Sequence, residues 1–574
     1  MNRLAAVSRR LPTLAVVALL AVLIGYPIGL LLWRTIVPED RPAQPARLFG
    51  PFVEAFTNDA TLSALWGTLW LTAIVLVIAV PLAVLLAWAA SCTDAPLAGK
   101  LAFLPIISLA ISPLVGAIGW LILLSPRAGL LNVLLRSVFG MDSVDGPLDA
   151  HSQPVIILVM VLYIVPYIYG PTFAAFARID GSLFEAARAS GASTMTAVRT
   201  VVVPVIRPAI LAGTLIGGVS AAAVFAIPLV LAGGTGLRVI PTLIYQAVVG
   251  EGRLDIATAL ASILGALTIV GMALYLRALG PASFATITGK GLRRLRIRLG
   301  GWRFVLTGIV VVYLCLSIVL PLGALVYLSF SGFWSANVFS QPLSLGQYDL
   351  ILNSTEHIRA LVNSGWISAL AASLALLLGS LGAYVALRRG GRVGKSLSYG
   401  FILPIGIPPI VAGVAILYAF VGPPFPLYGT VAIMVVGYVV IALPVSFQYA
   451  ESGLRQIGRE LAEAAQTVGD TPGGTLLRIT APLVRRPLFV AWGIVFINLF
   501  RDLGVSVMVY TPQTLVAPIS LLGFFETGSL PTAAAYSVVI TVVSGVVVWV
   551  ILFLNHERRQ KERGRKTPLS AVGR

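Results

Sequence analysis

Residues 185–204 read EAARASGASTMTAVRTVVVP, and residues 463–482 read EAAQTVGDTPGGTLLRITAP. Each opens on Glu-Ala-Ala, places a glycine six residues after the glutamate and ends on a proline nineteen residues after it. The first copy is therefore Glu185, Ala186, Ala187, Gly191 and Pro204; the second is Glu463, Ala464, Ala465, Gly469 and Pro482. The registers differ by 278 residues, and the same shift lays Pro166 on Pro444, Ile179 on Ile457, Leu183 on Leu461 and Arg207 on Arg485. Apolar segments match one another on composition alone. A glutamate, a glycine, a proline and an arginine do not, and their match at a fixed period marks an internal duplication.

Around these cassettes the chain is mostly oil. Its 574 residues are 58% hydrophobic and 11% charged, whereas a soluble domain carries about 25% charged residues. A spanning helix needs roughly 20 mostly apolar residues. Such stretches run at 13–33, 62–90, 101–124, 154–177, 208–232, 256–277, 303–330, 362–387, 397–421, 427–450, 487–510 and 532–554. The long continuous runs exclude a membrane β-barrel, which would show short alternating segments. The expectation is an all-α membrane protein of about twelve transmembrane helices in two homologous six-helix halves. Residues 1–277 would form the first half and 303–556 the second, joined by a basic linker at 278–302 and followed by a basic tail at 557–574.

The net charge of +18 would suit nucleic acid if it were spread evenly, but it is not. With the N-terminus inside and twelve crossings, most Lys and Arg fall on one side: Arg3, Arg9 and Arg10, the two cassettes, the linker, Arg388–Lys395 and the tail. The opposite loops carry Glu39, Asp40, Asp142, Asp145 and Asp149. This is the positive-inside pattern, and it predicts both termini in the cytoplasm, basic residues facing anionic lipid headgroups and no nucleic-acid partner. The apolar run after Arg10 exceeds a signal-peptide core and reads as a retained first span. Cys92 and Cys315 sit in different halves and form no disulfide framework. Residues 278–302 read either as an amphipathic helix on headgroups or, more simply, as a solvated connector.

The cassettes then lie in cytoplasmic connections at about 178–207 and 451–486. Glu-Ala-Ala favours helix, Gly191 stops it as glycine does at a helix C-terminus, and Pro204 and Pro208 restart the chain into the next span. Leu183, Ala187 and Ser190 share a face, with Glu185 and Arg188 elsewhere. Each cassette thus predicts a short helix–turn–helix whose small exposed residues allow another protein to approach closely.

The Glu-Ala-Ala string, the glycine six residues on and the closing Ile479-x-x-Pro482 (Val201 and Pro204 in the first copy) resemble the signature loop of membrane subunits of bacterial ABC importers. Val203 and Ala481 stand where that loop usually has leucine. Two copies on one chain resemble the fused permeases of the ferric-iron, thiamine and related families, over nearly the whole sequence. The resemblance implies a type I importer permease fold in a bacterial inner membrane. It also implies two separate ATPase subunits docked at the cassettes, and an extracytoplasmic substrate-binding protein. Its coupling residues are Glu185, Ala186, Ala187, Gly191 and Pro204, with Glu463, Ala464, Ala465, Gly469 and Pro482.

Catalytic groups are not assembled. A P-loop needs G-x-x-x-x-G-K-[ST]; Gly394-Lys395-Ser396 comes nearest, but Arg389 stands where the first glycine belongs and the string is expected in a loop between spans. His151, His357 and His556 lie far apart, so no metal site, cofactor or enzyme activity is expected, and ATP hydrolysis falls to another subunit. Charged residues within spans are functional candidates, and Arg501-Asp502, placed here inside the eleventh span, is the candidate for the translocation path. Its first-half counterpart is read as the uncharged Phe225-Ala-Ile-Pro228. Phe500-Arg-Asp-Leu-Gly504, Tyr510-Thr-Pro512 and Glu526 look most like the ferric-iron type, with thiamine, polyamine and phosphonate as alternatives. A two-times-six secondary transporter is the alternative class.

Overall fold

The computed structural model describes residues 2–37, 49–279, 295–457, 467 and 471–565. Among these the chain is helical, with one isolated bridge, Thr93 to Ile297. Nine helices are long and apolar enough to cross a membrane, and twelve spans result if each of three bent pairs counts once. They are α1 (Leu11–Ile36), α2 (Asp59–Cys92), α3 (Leu104–Ala110 with Pro113–Leu124), α4 (Gln153–Phe176), α5 (Met195–Ala223) and α6 (Leu254–Leu274). The second set is α7 (Trp302–Ser329), α8 (Thr355–Arg389), α9 (Gly391–Gly406 with Pro409–Phe420), α10 (Val431–Arg455), α11 (Arg478–Arg485 with Pro487–Phe500) and α12 (Leu530–Val550). Trp66, Trp302, Trp549 and many leucines and valines are exposed on the outside, where a bilayer rather than water is the fitting solvent.

The two sets pack alike. In the first, α2 lies along α4, and α5 packs on α4, α2 and α6; in the second, α8 lies along α10, and α11 packs on α10, α8 and α12. The first helix of each set crosses over. α1 packs on α6 and on the second segment of α9; α7 packs on α12 and on the second segment of α3. Tyr26 of α1 donates to the Ala419 carbonyl (3.2 Å) and Tyr313 of α7 to that of Leu162 (3.3 Å). Gly119 lets α3 touch α7, since a Cβ there would lie 2.8 Å from the Pro321 carbonyl oxygen.

The structure adds one feature to the sequence reading and corrects one expectation. The third span of each half is not straight: α3 bends by 96° and α9 by 105°. The bends fall at Ser112-Pro113 and Pro408-Pro409, where Ser112 (ψ 143°) and Pro408 (ψ 142°) are extended. Proline removes an N–H and biases the preceding residue away from helix. The string Gly394-Lys395-Ser396 lies within the helix Gly391–Ile402 rather than in a loop. A helix interior cannot wrap phosphates as a P-loop does.

The described end of the linker touches the first half. Ile297 donates to the Cys92 carbonyl (2.8 Å), the Asp94 side chain accepts from Leu299 N–H (3.0 Å), and Leu295 is buried. The chain from 295 onward is therefore seated on the turn that follows α2.

Candidate functional site

The first cassette is built as a rigid corner. Asp180 accepts from Ser182 N–H (3.0 Å) and starts the helix Gly181–Ala189. It ends on Gly191, whose φ of +89° is open to glycine and strained for other residues. Ala192 N–H reaches the Ala187 carbonyl (3.1 Å) and Gly191 N–H that of Arg188 (3.0 Å), the paired bonds of a Schellman C-cap. Arg188 closes the turn on the Ala192 carbonyl (2.9 Å). Ile179, Phe184, Ala197 and Val202 are buried and tie the corner to the core, while Glu185, Ala186 and Arg188 are exposed and Ala187 is half-buried. Phe184, which the sequence reading did not single out, is the anchor.

Pro204 does not restart the chain. The helix runs unbroken through it, because residues Val198–Val202 form a π-helical turn immediately before. Val203 N–H bonds the Val198 carbonyl, and this wider turn relieves the clash of the proline ring with the carbonyl four residues back. The second cassette repeats the device at the same register, with a π turn at Leu476–Thr480 before Pro482. The cap preceding each turn repeats as well: Ser193 accepts from Thr196 N–H and Thr471 from Gly474 N–H, both at 3.1 Å. Glu463, Ala464, Ala465 and Gly469 lie outside the described residues.

The second candidate region is a cavity of about 320 Å³ between the halves. Four interruptions of helical structure meet there: the bends of α3 and α9, and the ends of α5 and α11. Irregular backbone at membrane depth is tolerated where it lines a cavity. Gly504 permits the crowding, since a Cβ would sit 2.7 Å from that of Pro409. Arg501 and Asp502 do line this cavity, but they stand beyond α11, which ends at Phe500, rather than within it.

Arg501 is 8% exposed. Its guanidinium donates to the Leu109 carbonyl of α3 and to Asn498 Oδ1 (2.9 Å). Asp502 is turned back on its own chain, its Oδ2 accepting from Val505 N–H (2.9 Å) and Ser506 N–H (3.4 Å). The register of 278 pairs part of the cavity wall: Tyr163 with Ile441, Tyr167 with Val445, Ser220 with Asn498, Ala223 with Arg501 and Val224 with Asp502. The first-half counterpart of the charged pair is thus Ala223-Val224, two residues earlier than Phe225. Away from the cassettes, Tyr245 donates to Glu526 (2.8 Å), joining the halves again. Burial first, then this bond to a carboxylate, raise the Tyr245 phenol well above its ordinary value. Among the described residues no group of His, Cys, Asp and Glu is placed to hold a metal ion.

The family of binding-protein-dependent transport system inner membrane components matches residues 376–562. A trehalose transport system permease protein, SugB of Mycobacterium tuberculosis, is 31% identical over 202 residues, covering 34% of this chain and 71% of that one. The chain belongs to this family. The permease is also 29% identical over 391 residues to the probable ABC transporter permease protein y4fN of Sinorhizobium fredii, covering 66% of this chain and 68% of that relative. It is 26% identical over 478 residues to the ferric transport system permease protein FbpB of Actinobacillus pleuropneumoniae, covering 82% of this chain and 67% of that relative. It spans about two thirds of the length of the last two. The permease is thus an all-α, multi-pass membrane component of an ABC importer, a role distinct from that of an enzyme.

Proposed function

We propose that this permease forms the translocation path of an ATP-driven importer and receives its driving force through two docking cassettes. The single observation that carries the coupling assignment is the first cassette: a helix pinned from below by Phe184, capped at both ends, and presenting Glu185, Ala186 and Arg188 outward. The second cassette, with Glu463, Ala464, Ala465, Gly469 and Pro482, takes the same role. In this reading two separate ATPase subunits dock on the cassettes, on the cytoplasmic side with both termini, and a substrate-binding protein delivers cargo to the opposite face. The central cavity with Arg501 and Asp502 is the path. Coupling of this kind requires each docking loop to favour one of two discrete states of the assembly.

Replacing Glu185 or Glu463 by Lys, or Gly191 or Gly469 by Asp, is expected to abolish uptake while membrane insertion survives. ATPase co-purification and uptake are measured together; full transport by all four variants overturns the coupling assignment. For the cargo we propose ferric iron, supported by the ferric transport relative, which aligns over most of this chain. The trehalose relative makes cargo the variable feature. Affinity of the cognate binding protein for ferric iron against thiamine, a polyamine, a phosphonate and trehalose decides it.

A further inference from the structure

The two halves share a wall pattern in the cavity but not its chemistry. On one side Tyr163 and Tyr167 bring their hydroxyls within 3.2 Å of each other; on the other, Arg501 stands where the first half has Ala223. We propose that this cavity is an asymmetric oxyanion site, in which the two phenols of the first half and the guanidinium of the second hold one solute between them. The proposal rests on the reading of the cavity as the translocation path.

The hydrogen-bond inventory carries it. A guanidinium has five N–H donors, and the bonds to Leu109 and Asn498 account for two. Asn498 acts as a positioning residue, its Oδ1 accepting from Arg501 and one of its two amide N–H groups donating to the Ile494 carbonyl (3.0 Å). Of the paired phenols one donates to the other, so one hydroxyl hydrogen is left over. Asp502, the carboxylate beside them, accepts from its own backbone. The wall therefore offers donors around a guanidinium, and its carboxylate, Asp502, is turned onto its own backbone, so the groups left to a solute match an oxyanion. A guanidinium in this position is costly unless paired, and a passing anion repays that cost while it is bound. The oxyanion has two possible sources: a solute that is itself an oxyanion, or the oxyanion ligands of a carried metal.

The test is calorimetric titration of the full chain in lipid nanodiscs with inorganic phosphate, methylphosphonate, ferric citrate and, as a cation, spermidine. At least one of the first three is expected to bind, with Arg501→Gln weakening it about tenfold or more, the usual worth of a hydrogen bond to a charged group. Arg501→Lys, which keeps the charge, recovers part of the loss, and Tyr163→Phe with Tyr167→Phe weakens binding by a smaller factor. Tighter binding of phosphate or methylphosphonate identifies a free oxyanion; tighter ferric citrate identifies a metal's ligands. No binding of the three, equal binding by Arg501→Gln, or a preference for spermidine overturns the proposal. ATPase co-purification is measured on the same samples. Its loss from the wild-type chain counts against the importer reading, and its retention without anion binding counts against the oxyanion site alone.

Discussion

Gly191 and Asp180 define the first cassette more sharply than its glutamate does. Gly191→Ala forces a Cβ into the left-handed region, at a cost of about 1–2 kcal/mol, although space there is open. Asp180→Ala removes the cap at the other end, worth roughly 1 kcal/mol. Both variants are expected to insert and to show faster amide exchange confined to residues 181–192. Exchange unchanged in both would mean that the corner is held from elsewhere. The glycine was readable from spacing because its cause is local. Phe184 was not, because its burial is set by tertiary packing and not by spacing along the chain.

Prolines explain much of what happens to the helices, and they do so in two ways. Four π turns, Ala21–Gly25, Val198–Val202, Cys315–Val319 and Leu476–Thr480, each end two residues before a proline: Pro27, Pro204, Pro321 and Pro482. Pro204→Ala restores the missing donor and removes the need for the wider turn. An ordinary helical turn would rotate the cassette about 100° against the part of α5 that follows Pro204, the angle per residue of an α-helix. The expected result is normal insertion with several-fold weaker ATPase co-purification; undiminished binding would show that the π turn is incidental. At Pro113 and Pro409 the helices bend sharply instead, while Pro166 and Pro444 sit inside continuous helices. Apolar composition therefore revealed twelve spans but not the two right-angle bends. What separates the bends is the extended Ser112 or Pro408 before the proline and the cavity that receives the freed backbone.

On the scale of the whole molecule, α1 and α7 act as reciprocal clasps, each packed into the opposite half. A protease site inserted within residues 280–294 and then cut should leave the two pieces co-purifying through a tag on either; separation after cutting would refute the clasp. Gly119→Leu drives a side chain into Pro321 and is expected to cost about 1–3 kcal/mol, read as a lower melting midpoint of the full chain. The duplication was visible in the sequence because its markers are polar and fixed in spacing. The crossing of the first helices was not, since lipid-facing and protein-facing leucines look alike in a one-dimensional string. Fusion has one more consequence. A symmetric dimer of identical subunits must repeat every substitution at its axis, so an arginine gained there would meet its own image as a like charge. Within one polypeptide the position equivalent to Arg501 is free to stay alanine, and a single guanidinium can be installed without a second one to repel it.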